Sequence, residues 1–371
     1  MRLHLLGIPH SVTTRDWSHC AFTQKVYKFS RMVRPLGHHV THYGVAGSDS
    51  GADEDVVLMD QEEHQALLGH LYRHDQLYGA DAVDNSPVYR QWNLYAREEL
   101  KARVQPGDLI LAPFGHAHAA ALRDLPVLAA GAGALESGIG YFDTLLPWRV
   151  YESFAVRHAC MAKEGRYGVT MESSRLEFVV ANSYDLADWP DATTGDRSTA
   201  PVVFLGRLTE GKGLHLVLET ARRRPKVRFQ IAGQGDLEAF GKLPKNVEYL
   251  GVLGPERAAV LGAARAIIAP SRYVEPFGGA VVEAALCGTP AITSDFGCFA
   301  ETVAHGITGF RCQTERQFAE AVDRVLGLER RRVRERAIRL YSMPRVARLY
   351  DDVFAVCAER LKAKAYPATG W

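Results

Sequence analysis

No two cysteines form a C-x-x-C pair: the six fall at positions 20, 160, 287, 298, 312 and 357. That distribution argues against structural zinc and leaves reduced thiols in or near the core as the expectation. No apolar run approaches the ~20 residues of a bilayer-spanning helix, and the opening MRLHLLGIPH lacks the long apolar region of a signal peptide. A cytoplasmic protein is expected. Repeats and low-complexity tracts are missing too. The chain has almost no net charge, +1 from 44 basic and 43 acidic residues, but the balance is uneven. Residues 1–185 hold 17 Lys and Arg against 22 Asp and Glu, whereas the remainder holds 27 against 21. An anionic ligand is therefore expected in the second half, and a polyanion such as DNA is not drawn to the first.

What is present is a globular composition, 47% apolar and 23% charged, over 371 residues, enough for two domains with separate cores. Short apolar runs at 2–8, 108–112, 126–130 and 176–181 read as buried strands. Helical spacing separates them at about 21–36, 60–73 and 88–104. After a polar, turn-rich stretch at 187–200, the alternation resumes with strands at 201–205, 227–232, 247–250, 266–269 and 289–293, and helices dominate beyond 314. This order implies an α/β protein with parallel sheets.

The strongest motif is SRYVEPFGGAVVEAALCGTPAITSD, residues 271–295. Glu275 stands in a loop, Gly278 and Gly279 permit close backbone approach to a ligand, and Glu283 lies about a turn and a half into the helix that follows. The first turn of such a helix offers free N–H groups to a phosphate or a sugar oxygen. Upstream, Gly206-Arg207-Leu208-Thr209-Glu210-Gly211-Lys212-Gly213 follows a strand and places two cations near a helix start.

Glu275, Phe277, Gly278 and Glu283 resemble, position by position, the Glu-x-Phe-Gly-x4-Glu pattern of the retaining GT-B glycosyltransferases of family 4. The Arg207 and Lys212 loop is similar to that family's Gly-Arg…Lys-Gly element. The resemblance implies two Rossmann-like domains facing a central cleft: an acceptor domain at 1–186, a linker at 187–200, and a nucleotide-sugar domain at 201–340. A final segment, 341–371, would cross back to the first domain. It also implies roles. Arg207 and Lys212 would stabilise the leaving diphosphate, Glu275 would bind sugar hydroxyls, and Glu283 would take the ribose. Gly206, Val252, Leu253 and the backbone of Phe277 to Gly279 would complete the donor site, with UDP or GDP as nucleotide and no cofactor or metal. Glu275→Ala should nearly abolish transfer with the fold intact.

The first half carries weaker signals. In many relatives the loop before the first helix has paired glycines that touch the diphosphate; here it reads His19-Cys20-Ala21-Phe22. His116 follows the 108–112 strand, where open α/β sheets place ligands, and by resemblance would lie near the transferred sugar, with His118 as second choice. Glu136 and Tyr141 fall in a glycine-rich stretch that would line the acceptor side. Trp148, Tyr151 and Phe154 have helical spacing and read as core. Asp53-Glu54-Asp55 fits an Asp-x-Asp metal pattern but reads as a solvated acidic face. The acceptor is expected to be a small molecule or glycan. Two alternatives remain: modified DNA, from a likeness of the first half to phage-encoded glycosyltransferase-like proteins, and a non-catalytic nucleotide-sugar binder or GT-B epimerase.

Overall fold

A computed structural model describes residues 1–17, 20–69, 86–168 and 174–367. His19, and the end of the 60–73 helix, lie outside the described residues. Two parallel sheets organise the chain. In the first, β1 (Arg2–Leu6), β2 (His39–Val45), β3 (Glu54–Met59), β4 (Leu109–Ala112), β5 (Gly133–Ile139), β6 (Trp148–Tyr151) and β7 (Leu176–Val179) run in the order 3-2-1-4-5-6-7. The second has β8 (Val202–Leu205), β9 (Phe229–Ala232), β10 (Val247–Tyr249), β11 (Ala266–Ala269), β12 (Ala291–Ser294) and β13 (Gly309–Cys312), ordered 10-9-8-11-12-13. Both orders reverse between the strand that opens the sheet and its later neighbour, β1 beside β4 and β8 beside β11. That reversal leaves a crevice at the carboxyl ends of the strands.

The strands are continuous apolar runs because helices cover both faces of each sheet. Leu3, Leu5 and Leu6 are fully buried, as are Leu109, Ile110 and Leu111 beside them. Helix α1 (Ala21–Val33) turns Val26, Phe29, Met32 and Val33 to this core. Its neighbour in the fold comes from the far end of the chain. Helix α10 (Met343–Lys362) buries Val346, Tyr350, Val353, Phe354, Cys357 and Leu361 in the first sheet's core, with Tyr350 edge-on to Phe29 at 4.9 Å. The other helices used below are α2 (Gln61–Leu68), α3 (Pro87–Arg103), α4 (Phe154–Lys163), α5 (Leu214–Arg223), α6 (Arg257–Ala263), α7 (Gly279–Leu286), α8 (Glu315–Arg324) and α9 (Arg330–Tyr341).

Two sequence expectations are corrected. Residues 126–129 are a helical turn, not a strand: Pro126 sits at its first position, where a missing N–H costs nothing. The strand is instead the glycine-rich run 133–139, in which Gly133 is so tightly packed that a Cβ would come within 3.0 Å of Leu361. Trp148 and Tyr151 are buried, as expected, but on strand β6, while Phe154 is half exposed at the start of α4. The acidic run is structural: Asp53 pairs with Arg34, Glu54 with Arg103, and Asp55 with His42.

Two of the four arginines in the run Arg330-Arg331-Arg332-Val333-Arg334 on α9 are used in packing. Arg330 donates to the carbonyls of Ala192, Gly262 and Ala264 and to Thr289, and Arg334 to those of Trp189, Pro190 and Leu286. These two arginines fasten the 187–200 stretch to the second domain rather than presenting a basic face.

Candidate active site

The loops after β8 and β11 are neighbours because their strands are. Gly213 ends the first loop with φ 74°, and a Cβ there would lie 2.1 Å from the Pro270 carbonyl, so only glycine allows the two loops to close on each other. Arg272 N–H donates to Gly211 O at 2.8 Å and locks the contact. In consequence Lys212 meets Glu275. Its ammonium lies 2.9 and 2.7 Å from the two carboxylate oxygens, and Ser271 Oγ donates to the same group at 2.8 Å. Burial opposes the charge of Lys212, but the Glu275 carboxylate more than offsets this and holds the ammonium above its ordinary pKa.

Gly278, at φ 72°, turns the second loop into α7, and Phe299 fills the space its side chain would need. No side chain caps this helix, and its first residue, Gly279, faces the same space as Phe277 and Gly278. Glu283 follows on the helix. It accepts from Arg257 Nε at 3.0 Å, and Arg257 in turn lies over the Trp189 ring at 5.4 Å.

These groups line one wall of a cleft of about 410 Å³ between the sheets. The other wall comes from the first domain: Lys25 and Lys28 on α1, Ser137 and Gly138 of β5, Glu152, and Asn182 to Tyr184. Arg207, exposed, lines it as well and has no carboxylate partner among the described residues. The charged lining therefore consists of Lys25, Lys28, Arg207, Lys212 and Arg257 against Glu152, Glu275 and Glu283. A surplus of two cations in a partly enclosed cleft suits a dianion.

Of the residues singled out from sequence, Arg207, Lys212, Glu275, Phe277, Gly278, Gly279 and Glu283 come together here. Gly206, Val252 and Leu253 do not line the cleft, Val252 being 48% exposed. His116 is exposed on a 3-10 turn, outside the lining residues. His118 is fully buried against Trp92, with neither ring nitrogen bonded, and desolvation lowers its pKa to about 3. Glu136 is likewise fully buried. It accepts from the Tyr141 hydroxyl at 2.7 Å and from the N–H groups of Leu145 and Leu146, both at 2.8 Å. Tyr141 itself accepts from Gly115 N–H at 2.9 Å, so this pair braces two loops rather than facing the cleft.

Sequence reasoning missed Lys25, Lys28, Glu152 and Arg257. The first two stand three apart on α1, a spacing that puts them on one face, but lysines on a surface helix carry no distinguishing mark. No helix among the described residues is long and apolar enough to cross a membrane, and no cluster of three metal-ligating side chains occurs among them.

The sequence profile of the family described as glycosyl transferases group 1 matches residues 192–339, the second domain. Over 147 residues the chain is 35% identical to glycogen synthase of Mycobacterium tuberculosis, a match covering 36% of this chain and 35% of the relative. It is 33% identical over 142 residues to D-inositol 3-phosphate glycosyltransferase of Mycobacterium leprae, 34% of this chain and 33% of that protein. The match thus spans about a third of each curated relative. Whole-chain similarity appears in structure: AviGT4, a glycosyltransferase of avilamycin A biosynthesis, superposes with a TM-score of 0.70 over 97% of this chain and 98% of its own, at 20% identity. Anabaena HepE, solved with UDP and glucose, gives 0.63 over 96% and 99%, at 16% identity. The paired parallel sheets and these likenesses give the chain the GT-B fold, and its second domain is similar to the glycosyl transferases group 1.

Proposed function

We propose that the protein transfers a hexosyl group from a nucleotide-diphosphate sugar to a hydroxyl of a small-molecule or glycan acceptor, with retention and without a metal. The observation that carries this reading is the Lys212–Glu275 pair, set beside the free Arg207 and the uncapped start of α7 in a cleft with two surplus cations. Transfer turns a phosphate diester into a leaving diphosphate, and charge develops where Arg207 and Lys212 stand. The Glu275 carboxylate, held by Ser271, would accept from sugar hydroxyls, and Glu283 would accept from the ribose. On this reading the leaving phosphate takes the acceptor proton, so no side-chain base is needed.

HepE, which shares the fold, was solved with UDP and glucose, which makes UDP-glucose the first donor to try. The modified-DNA reading gains nothing from the named relatives, and Arg330 and Arg334 of α9 are used in packing. The test is binding and slow hydrolysis of UDP-, GDP- and ADP-sugars without added metal, by the wild type and by Glu275→Gln. Selective turnover lost in the variant is expected. Failure of every nucleotide sugar to bind would overturn the proposal.

A further inference from the structure

Among the described residues, the cleft contains one half-buried cation without a carboxylate partner. Lys25 is held by Glu152 and by the Gly138 carbonyl, Lys212 by Glu275, and Arg257 by Glu283. Lys28 has no hydrogen-bond acceptor or carboxylate partner among the described residues; its ammonium lies 5.0 Å over the Tyr184 ring. Three carboxylates stand in its surroundings, and each is engaged elsewhere. Glu283 bonds Arg257 at 3.0 Å, Asp188 bonds Arg15 at 2.6 Å, and Asp185 accepts the Ala187 N–H at 3.0 Å. Arg257 adds a like charge on the same side. Burial lowers the pKa of the Lys28 ammonium, so an anion beside it would offset that desolvation.

We infer that Lys28, on α1 of the first domain, takes the phosphate next to the ribose of a bound nucleotide. The inference rests on the donor site proposed above. Its geometry is that of the cleft, which Lys28, Tyr184 and Glu283, the ribose acceptor on that reading, line together, with the Lys28 ammonium 5.0 Å over the Tyr184 ring. Arg207 and Lys212 lie on the loop after β8 and serve the terminal phosphate. A phosphoryl group joined to the ribose falls between these two sets. The first domain thereby contributes a charge to the donor site, so nucleotide affinity depends on both domains. A phosphate on the acceptor would be the other anion to consider, but Glu283, assigned to the ribose, stands among the charges around Lys28.

The test is calorimetric titration of wild type, Lys28→Met and Lys28→Arg with the nucleoside, its monophosphate and its diphosphate, beginning with the uridine series. The expected result is a monophosphate-over-nucleoside preference that falls roughly tenfold to a hundredfold in Lys28→Met. Nucleoside affinity should stay unchanged, and Lys28→Arg should keep most of the preference. Raising the salt concentration should narrow the gap between wild type and Lys28→Met. An unchanged preference in Lys28→Met overturns the inference. So does loss of transfer with normal nucleotide binding, which would assign the charge to the acceptor. If Lys28→Met does not fold, Lys28→Gln is measured in its place against the same criteria. A wild-type protein that binds no nucleotide would defeat the donor site itself, an outcome distinct from a failure of Lys28 alone.

Discussion

The carboxylate of Glu301, in the second domain, accepts the backbone N–H of Ala155, in the first turn of α4 in the first domain, at 2.8 Å. Its other oxygen takes the Phe154 N–H at 3.0 Å. One domain thus caps a helix of the other, where a negative charge also meets the positive end of the helix dipole. Beside it, Ser153 Oγ donates to the carbonyl of Pro276, the residue that follows Glu275. The seam between the domains is therefore fastened next to the loop that carries Glu275.

Glu301→Ala should loosen this seam by about 1 kcal/mol, the usual worth of a cap. Small-angle scattering should show a larger radius of gyration for the variant, and nucleotide-sugar hydrolysis should slow. Unchanged scattering together with unchanged hydrolysis would mean that the contact does not hold the domains.

The pair formed by Lys212 and Glu275 changes how the proposed donor site should be probed. From sequence, Glu275→Ala should leave the fold intact. In the structure Glu275 is 8% exposed and is the counter-ion of a largely buried lysine. Removing one member of such a pair costs about 3–5 kcal/mol when it is fully buried, and somewhat less with the residual solvent contact here. Glu275→Ala is expected to lower the urea midpoint visibly, and Lys212→Met with Glu275→Gln should recover part of that loss. Both should lack turnover. A double variant no more stable than Glu275→Ala would contradict the coupling.

Much of this architecture was legible in the sequence, for reasons that differ by region. Strands buried on both faces leave short apolar runs, and the Glu275 to Glu283 motif is read from fixed spacing around glycines. The misreadings have local causes. His116 and His118 sit on a 3-10 turn, which puts the second of them inside the core while the first stays exposed. Glu136 looks like an acceptor-side carboxylate until the N–H groups of Leu145 and Leu146, in an irregular segment, are seen to consume it. Lys28 and Arg257 have no motif at all. Their place in the cleft depends on how the two domains meet, which no stretch of sequence encodes locally.

His118 makes acid stability sensitive to one residue. Its imidazole is fully buried without a hydrogen-bond partner among the described residues, and desolvation holds its pKa at about 3, against 6.5 for the free side chain. Below pH 6.5 the unfolded chain therefore takes up a proton that the folded one refuses, so this group makes stability fall as the pH drops from 6.5 towards 3. Above 6.5 it contributes no slope. The slope approaches ~1.4 kcal/mol per pH unit for one proton. His118→Phe should remove that component from denaturant titrations between pH 6.5 and 4, with little change at pH 8 beyond the effect of the added ring volume. Parallel pH profiles for the two proteins would show that the imidazole titrates freely.

Arg257 gives the most discriminating check on the nucleoside side. Its guanidinium is partly buried; that burial works against its charge, yet the Glu283 carboxylate keeps its pKa above the ordinary value. It fixes Glu283 through Nε at 3.0 Å and a longer Nη2 contact at 3.4 Å, leaving the remaining lone pairs of the carboxylate for a ligand. If Glu283 accepts from ribose hydroxyls, its orientation matters as much as its charge. Arg257→Gln should weaken binding of UDP by roughly tenfold while binding of 2′-deoxy-UDP weakens less, because a carboxylate free to rotate no longer holds the geometry that rewards the hydroxyl. Titration of both nucleotides into wild type and variant measures that difference directly. Equal losses for the two ligands would place the ribose away from Glu283 and leave Arg257 as a general cation of the cleft.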